Sequence, residues 1–344
     1  MTSHVLVEVA GKIPEPLLRA QSVAGKFFLM FFAIALFAAV FGLILFLASL
    51  FKGRTGEKWQ GVLFAGPAIV LLAFGLMYPA ILTIIQSFRG KKGDGSFSVD
   101  NYVQMFTEPE LLLVLRNTAI WVILVPFIAT GVGLVYAILI DRSRGEAFSK
   151  ALIFLPMAIS MVGASIIWKF VYQYKQTSRP QIGLLNAILK ALGFETQQFL
   201  INAPLNTFLL IIVMVWIQAG FAMTVLSAAI KAVPDDIVEA AQIDGASPLR
   251  VFRDVTFPIL KPILLILTSL SIIWDFGVFT QPYLLIGASH VDASNYLMGV
   301  YVYIEGYAHS EFGRGAAISI LMLLIVAVLS VFYVRRMVRM EDVT

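Results

Sequence analysis

The sequence predicts an all-α integral membrane protein of about seven spanning helices, and three observations predict it. Of the 344 residues, 59% are hydrophobic and only 13% charged, about half the charged share of an ordinary soluble domain. Too few polar side chains remain to cover a water-facing surface. The apolar residues also fall in unbroken runs of the length a bilayer crossing needs, about 20 residues. None of these runs has the alternating ten-residue pattern of a closed barrel. The same figures exclude a soluble enzyme, a disordered chain and a fibrous repeat.

Taken in order, the expected spans are 27–51, 61–88, 117–140, 151–172, 207–230, 263–287 and 313–334. The first is longer than the apolar core of a cleavable leader and lacks a small-x-small site before Lys52, so it reads as a retained helix. Proline and glycine inside several spans are tolerated where neighbouring helices re-satisfy the freed backbone groups. Asn117 is a suitable N-cap for the third span. Residues 182–194 place Ile182, Leu185, Ile188, Leu189 and Leu192 on one helical face, which predicts a short helix at the membrane surface. Lys and Arg are denser in 52–60, 141–150, 231–262 and 335–344, which hold 13 of the 25. That density favours a cytoplasmic C-terminus and, with seven crossings, an external N-terminus.

The chemistry of many protein classes is missing. No cysteine occurs, and His4, His290 and His309 are far apart, so neither a disulfide framework nor a metal-ligand spacing is present. The net charge of +4 is small and scattered, which leaves no nucleic-acid footprint. No G-x-x-x-x-G-K-[ST] motif exists to cradle ATP phosphates, and no paired carboxylates or nucleophile–base set occurs. The chain therefore reads as a non-enzyme that binds no cofactor or metal.

One connecting segment differs from the rest. In 231–262, Pro234 opens a helix with Asp235, Asp236 and Glu239 near its positive end. Gly245 suits the left-handed position that ends it, and Ser247-Pro248 supply a fresh cap and first residue. Pro258 and Pro262 are expected to close the second short helix before the sixth span. Ala240, Ala241 and Ala246 keep one face small enough for close approach by another protein, and Phe252 can plug inward.

These residues carry a family resemblance. Glu239-Ala240-Ala241-x-x-Asp244-Gly245-Ala246, then Phe252, Pro258 and Pro262, resembles the EAA loop of binding-protein-dependent ABC importer permeases. Val233-Pro234-Asp235-Asp236 is similar to the maltose-type carbohydrate subtype. Tyr78-Pro79, Asp100-Asn101-Tyr102, Asn117-Thr118 and Gly183-Leu184-Leu185-Asn186 sit where that family has similar strings. Residues 153–172 look most like the α-glucoside branch.

The resemblance implies a type I importer permease fold, with a six-helix core (60–338), an extra N-terminal helix in 1–59 and a cytoplasmic tail (339–344). It implies a plasma-membrane location with the EAA loop facing the cytoplasm. It also implies several partners: a second permease, an ATPase dimer carrying ATP and Mg²⁺, and an external solute-binding protein. Its coupling residues map onto Glu239, Ala240, Ala241, Asp244, Gly245, Ala246, Phe252 and Pro258. The solute implied is an oligosaccharide or glycoside. A non-sugar solute, or an ion-coupled carrier using Asp275, stays open.

For a solute path, intramembrane polar residues are the natural candidates. Ser271, Trp274, Asp275 and Phe279 recur at helical spacing on the sixth span, with Asp275 expected mid-span and Gln281 beside it. Trp216, Gln218, Gly220 and Phe221 on the fifth span offer similar aromatic and hydrogen-bonding chemistry, and Ser319 on the seventh is a further contributor. Solute contact and a purely structural or gating role for Asp275 are both open on the sequence.

Overall fold

The computed structural model describes residues 23–51, 54–141, 143–176, 180–286 and 296–341. Most of the expected outer N-terminal segment, the centre of the loop after the sixth span with His290, and the last residues of the tail lie outside them. By internal contacts the chain divides into two units, Met1–Ile81 and Leu82–Thr344.

In the first unit, α1 (Val23–Ser49) packs against α2 (Arg54–Leu72). Gln60 ties them together, its Nε2 donating to the Ala48 and Phe51 carbonyls at 3.2 and 3.0 Å. Those carbonyls are among the acceptors a helix end leaves without an intrahelical partner. α2 continues through a π-turn (Ala73–Met77) into α3 (Tyr78–Ser87), making Lys58–Ser87 one crossing of 30 residues. No residue in the most apolar 18-residue window of either crossing is buried within the chain, in keeping with helices that face lipid.

The second unit is built on α5 (Pro109–Ile140) and α9 (Leu205–Lys231). α4 (Asp100–Thr107) precedes them and is pinned by Asn101, whose amide donates to the Ser87 and Arg89 carbonyls at 3.1 and 2.5 Å. α5 starts eight residues before the expected span. Pro109 takes the first turn, where a missing N–H costs nothing. Asn117 therefore does not cap a helix but lies buried inside one.

α9 is the central helix, with 67% of its best spanning window buried. Glycine makes its contacts close. A Cβ on Gly133 of α5 would meet Ala222 Cβ at 2.6 Å and Met223 N at 2.8 Å on α9. A Cβ on Gly220 of α9 would strike the backbone of Ile153 and Phe154 on α6 (Glu146–Ala158). Helices in lipid gain little from burying apolar surface and pack instead through such small residues.

The fourth and sixth spans differ from the expected ones. The fourth is not one straight helix: α6 and α7 (Met161–Val171) meet at 97°. Ile159 is extended there, and Ser160 caps the new helix by accepting from Gly163 N at 3.1 Å. The described residues thus hold six straight crossings, or seven if the bent pair is one.

The expected short helix is present as α8 (Leu184–Ala191). Ile182, Ile188 and Leu192 are exposed, whereas Leu185 and Leu189 pack on the core. Buried Asn186 holds it, donating to the Gln173 and Gln197 carbonyls and accepting from Gln197 N.

The sixth span begins and ends elsewhere than expected. α10 (Asp235–Ile243) is followed by α11 (Pro248–Val251), a π-turn (Phe252–Thr256) and α12 (Phe257–Phe276), and Pro248–Phe276 is continuous. Pro258 and Pro262 do not close the short helix. The widened π-turn just before them accommodates the lost backbone bonds, and Pro258 sits in the first turn of α12. At the other end Gly277 terminates α12, and α13 (Thr280–Ile286) is a separate short helix packed on α7. After the undescribed loop come α14 (Met298–Tyr303), a π-turn (Ile304–Ala308) and α15 (Phe312–Glu341), the last crossing.

Candidate functional site: a cavity at one end of α12 and an exposed helix–turn–helix at the other

The end of α12 places Asp275 one residue before the helix stops, not in mid-span. Its carboxylate is buried at 1% exposure. The neighbour expected from the sequence, Gln281, is not its partner. Gln218 of α9 donates from Nε2 to Asp275 Oδ1 at 2.6 Å. The Ser271 hydroxyl lies 2.6 Å from Gln218 Oε1 and 3.1 Å from Asp275 Oδ2. Three side chains from two helices thus form a ring of contacts within hydrogen-bond distance. Ser271 has a single hydrogen for those two acceptors, so the ring retains capacity for a further donor.

The ring backs a cavity of about 240 Å³ lined by Gln218, Phe221, Ser271 and Trp274, with Thr130 and Met157 among the remaining contributors. The walls are almost wholly apolar apart from these hydroxyl and amide groups. A few placed polar groups in a largely apolar concavity are the usual composition of a small-molecule site. Asp275 lies behind this lining and orients Gln218 and Ser271.

A second cavity of about 150 Å³ shares Trp274 and adds Phe279 and Gln281. Gln281 is itself fully buried, its amide directed at the Leu210 carbonyl 3.4 Å away.

Two expected residues are not brought to the site. Trp216 packs edge-on against Trp168 at 5.6 Å, in the core between α9 and α7. Ser319 donates to the Gly315 carbonyl within α15. Thr130 was not singled out in the sequence, because one hydroxyl in an apolar run of α5 gives no signal of which face it occupies.

At the far end of the same helical rod, α10 and α11 form the expected helix–turn–helix. Gly245 adopts φ +80°. Gly245 N donates to Gln242 O and Ala246 N to Ala241 O, both at 3.0 Å, the bond pair that closes a helix through a left-handed residue. Ser247 then caps α11, accepting from Arg250 N. Glu239, Ala240, Asp244 and Gly245 are exposed, Ala241 and Ala246 half-buried. Phe252 is half-buried against Phe257, with ring centroids 6.1 Å apart.

Two apolar side chains that the sequence reading passed over stand out here. Ile243 is 86% and Leu249 76% exposed, flanking the turn. Their signal was available: large apolar residues in an otherwise polar connecting segment.

A nearby ion cluster ties the base of this segment to the bent pair. Lys231 Nζ lies 2.5 Å from Glu146 and 3.6 Å from Asp141, and Lys150 lies 2.6 Å from Glu146.

The fold and site define a polytopic helical membrane protein with an exposed helix–turn–helix at one end. The chain belongs to the binding-protein-dependent transport system inner membrane component family, which matches residues 113–339. It is 37% identical over 274 residues to the osmoprotective compounds uptake permease protein of Synechocystis sp., covering 80% of this chain and 97% of that one. It is also 37% identical over 290 residues to the alpha-glucoside transport system permease protein of Rhizobium meliloti, covering 83% of this chain and 84% of that one. Among solved structures, a permease chain of a bacterial ABC transporter importing alginate superposes with a TM-score of 0.70 at 19% identity. That match covers 82% of this chain and 99% of the other. The fold is therefore that of a type I ABC importer permease.

Proposed function

We propose that the chain is the permease subunit through which an ATP-driven importer passes an oligosaccharide or glycoside of the α-glucoside kind. The observation that carries it is the unbroken helix Pro248–Phe276, which joins the exposed helix–turn–helix to the polar ring of the cavity. At about 1.5 Å per residue its 29 residues are long enough to carry a displacement from that segment to the cavity. In this reading the EAA segment faces the cytoplasm and docks on a separate ATPase dimer that holds ATP and Mg²⁺. Closure of the dimer moves the rod, and the cavity opens outward to a solute-binding protein. A second permease completes the cavity. Apolar C–H faces of a sugar would lie on Trp274 and Phe221, and its hydroxyls would meet Gln218 and Ser271. The name of the 37%-identical Rhizobium meliloti relative, an alpha-glucoside transport system permease protein, supports the cargo class.

One relative's name also favours a second reading, in which the cargo is a small osmoprotective solute. The test is reconstitution. The ATPase should copurify with this chain, and proteoliposomes with the cognate binding protein should take up maltose, sucrose or trehalose only when ATP is supplied. Uptake that collapses with an uncoupler and ignores ATP would overturn the importer reading. ATP-dependent activity stimulated by none of the sugars, but by an osmoprotectant, would select the second reading.

A further inference from the structure

Beyond Trp274, one wall of the second cavity begins a run of aromatic rings with no part in the helix–turn–helix or the polar ring. Phe279 lines that cavity. It stacks on Tyr283 of α13 at 4.8 Å between centroids and meets Tyr303 of α14 at 5.1 Å. The rings of Tyr283 and Tyr303 meet edge-on with centroids 5.2 Å apart. Tyr303 stacks on Tyr307 at 5.7 Å, and Tyr307 meets Phe312 edge-on at 6.0 Å.

Exposure rises from half-buried Phe279 and Tyr283 through Tyr303 at 36% to Tyr307 at 70%, and falls back to 47% at Phe312. The outer rings are held in place. The π-turn carrying Tyr307 also carries Glu305, which lies 3.5 Å from the Arg314 guanidinium of α15, and Arg314 also pairs with Glu108 and Glu311.

We propose that Phe279, Tyr283, Tyr303, Tyr307 and Phe312 form a stacking track for pyranose rings, leading a glycoside from the end of the bundle remote from the helix–turn–helix to the Trp274 cavity. It rests on the sugar reading above. Tyrosine suits this role because it offers an apolar face to the C–H side of a sugar and a hydroxyl to its edge. The track is continuous with the cavity through Trp274, which lines both hollows. Its ring-to-ring steps are comparable with the advance of one sugar unit along a glycan. Burying Tyr307 at a lipid boundary, where tyrosine is also enriched, is the competing occupancy.

The experiment uses the full reconstituted assembly with binding protein saturated by whichever of maltose, sucrose and trehalose the wild type transports. Both sugar uptake and ATP hydrolysis are measured. Tyr307→Leu keeps apolarity but removes the ring. It should retain binding-protein-stimulated hydrolysis and lose about threefold or more in sugar moved per ATP, the scale of one lost ring contact. Tyr307→Phe should keep the wild-type ratio. If Tyr307→Leu does not assemble, Phe312→Leu reads the outermost step in the same way. An unchanged ratio in the Leu variant would make the rings a lipid anchor and overturn the track. A parallel fall in hydrolysis and uptake would make them a protein-docking surface and overturn it equally. If the wild type moves none of the three sugars, the cargo reading fails first and the track with it, an outcome distinct from a wild type that transports while the Leu variants do too.

Discussion

At the scale of the residue, the most consequential finding is who satisfies Asp275. A carboxyl group in a bilayer crossing needs compensation, and here it comes from Gln218 and Ser271. Asp275→Asn brings an amide that can donate to Ser271, leaving the Ser271 hydrogen for Gln218 and the Gln218 amide for the new carbonyl. Each of the three contacts then has a hydrogen, so substantial ATP-dependent uptake is expected. Asp275→Leu leaves the Gln218 amide and the Ser271 hydroxyl without that partner and should cost about 2 kcal/mol, with uptake lost. Uptake assays and thermal denaturation in detergent on both variants check this. An Asn variant as inactive as the Leu variant would show that the charge, not the hydrogen bonding, matters. The sequence could single out Asp275, Ser271 and Gln218 as polar groups in apolar runs. It could not pair them, because Gln218 lies 57 positions away and Gln281 only six.

At the scale of the element, two glycines act for different reasons. Nothing lies within 4 Å of a Cβ built on Gly245, so its requirement is the backbone angle of +80° alone. Gly245→Ala should therefore cost only about 1 kcal/mol. Gly245→Pro imposes the wrong angle and removes the N–H that bonds Gln242 O. Transport and ATPase copurification should both fail in the proline variant, with solute capture by the binding protein unaffected. Wild-type transport at equal expression would remove the turn from the mechanism.

Gly133 is a contact glycine. Leucine there collides with Ala222 and Met223 and should destabilise the α5–α9 crossing by about 3 kcal/mol. Gly131→Ala, with open space around it, is the matched control. Melting temperatures of the two purified variants decide between crossing contact and general glycine sensitivity.

At the scale of the whole molecule, the number of crossings turns on the bent pair α6–α7. If the two arms together traverse the bilayer, the chain crosses seven times and its termini lie on opposite sides. The chain contains no cysteine, so single cysteines report without background. Cysteines replacing Arg144 and Lys175, on either side of the pair, should react with a membrane-impermeant maleimide from opposite faces. Cysteines at Ser3 and Thr344 should do the same. Labelling of both Arg144 and Lys175 positions from one face would make the pair a re-entrant hairpin and bring the termini to the same side.

Composition and run length alone established a helical membrane protein, because apolar runs this long and without alternation satisfy their backbone in lipid as helices rather than as barrel strands. Local rules were also enough for the helix–turn–helix, since a proline start, a left-handed glycine and a serine cap act within a few residues of themselves. Where the spans begin, bend and stop was decided by tertiary structure. Asn117 lies inside a helix, Ser160 starts a new one and Gly277 ends another, and propensity does not distinguish these outcomes. The site was decided at the same level. Gln218 meets Asp275, and Phe279 leads on to Tyr307, only because α9, α12, α13 and α14 pack together, and a linear pattern records which face a residue occupies but not what stands opposite it.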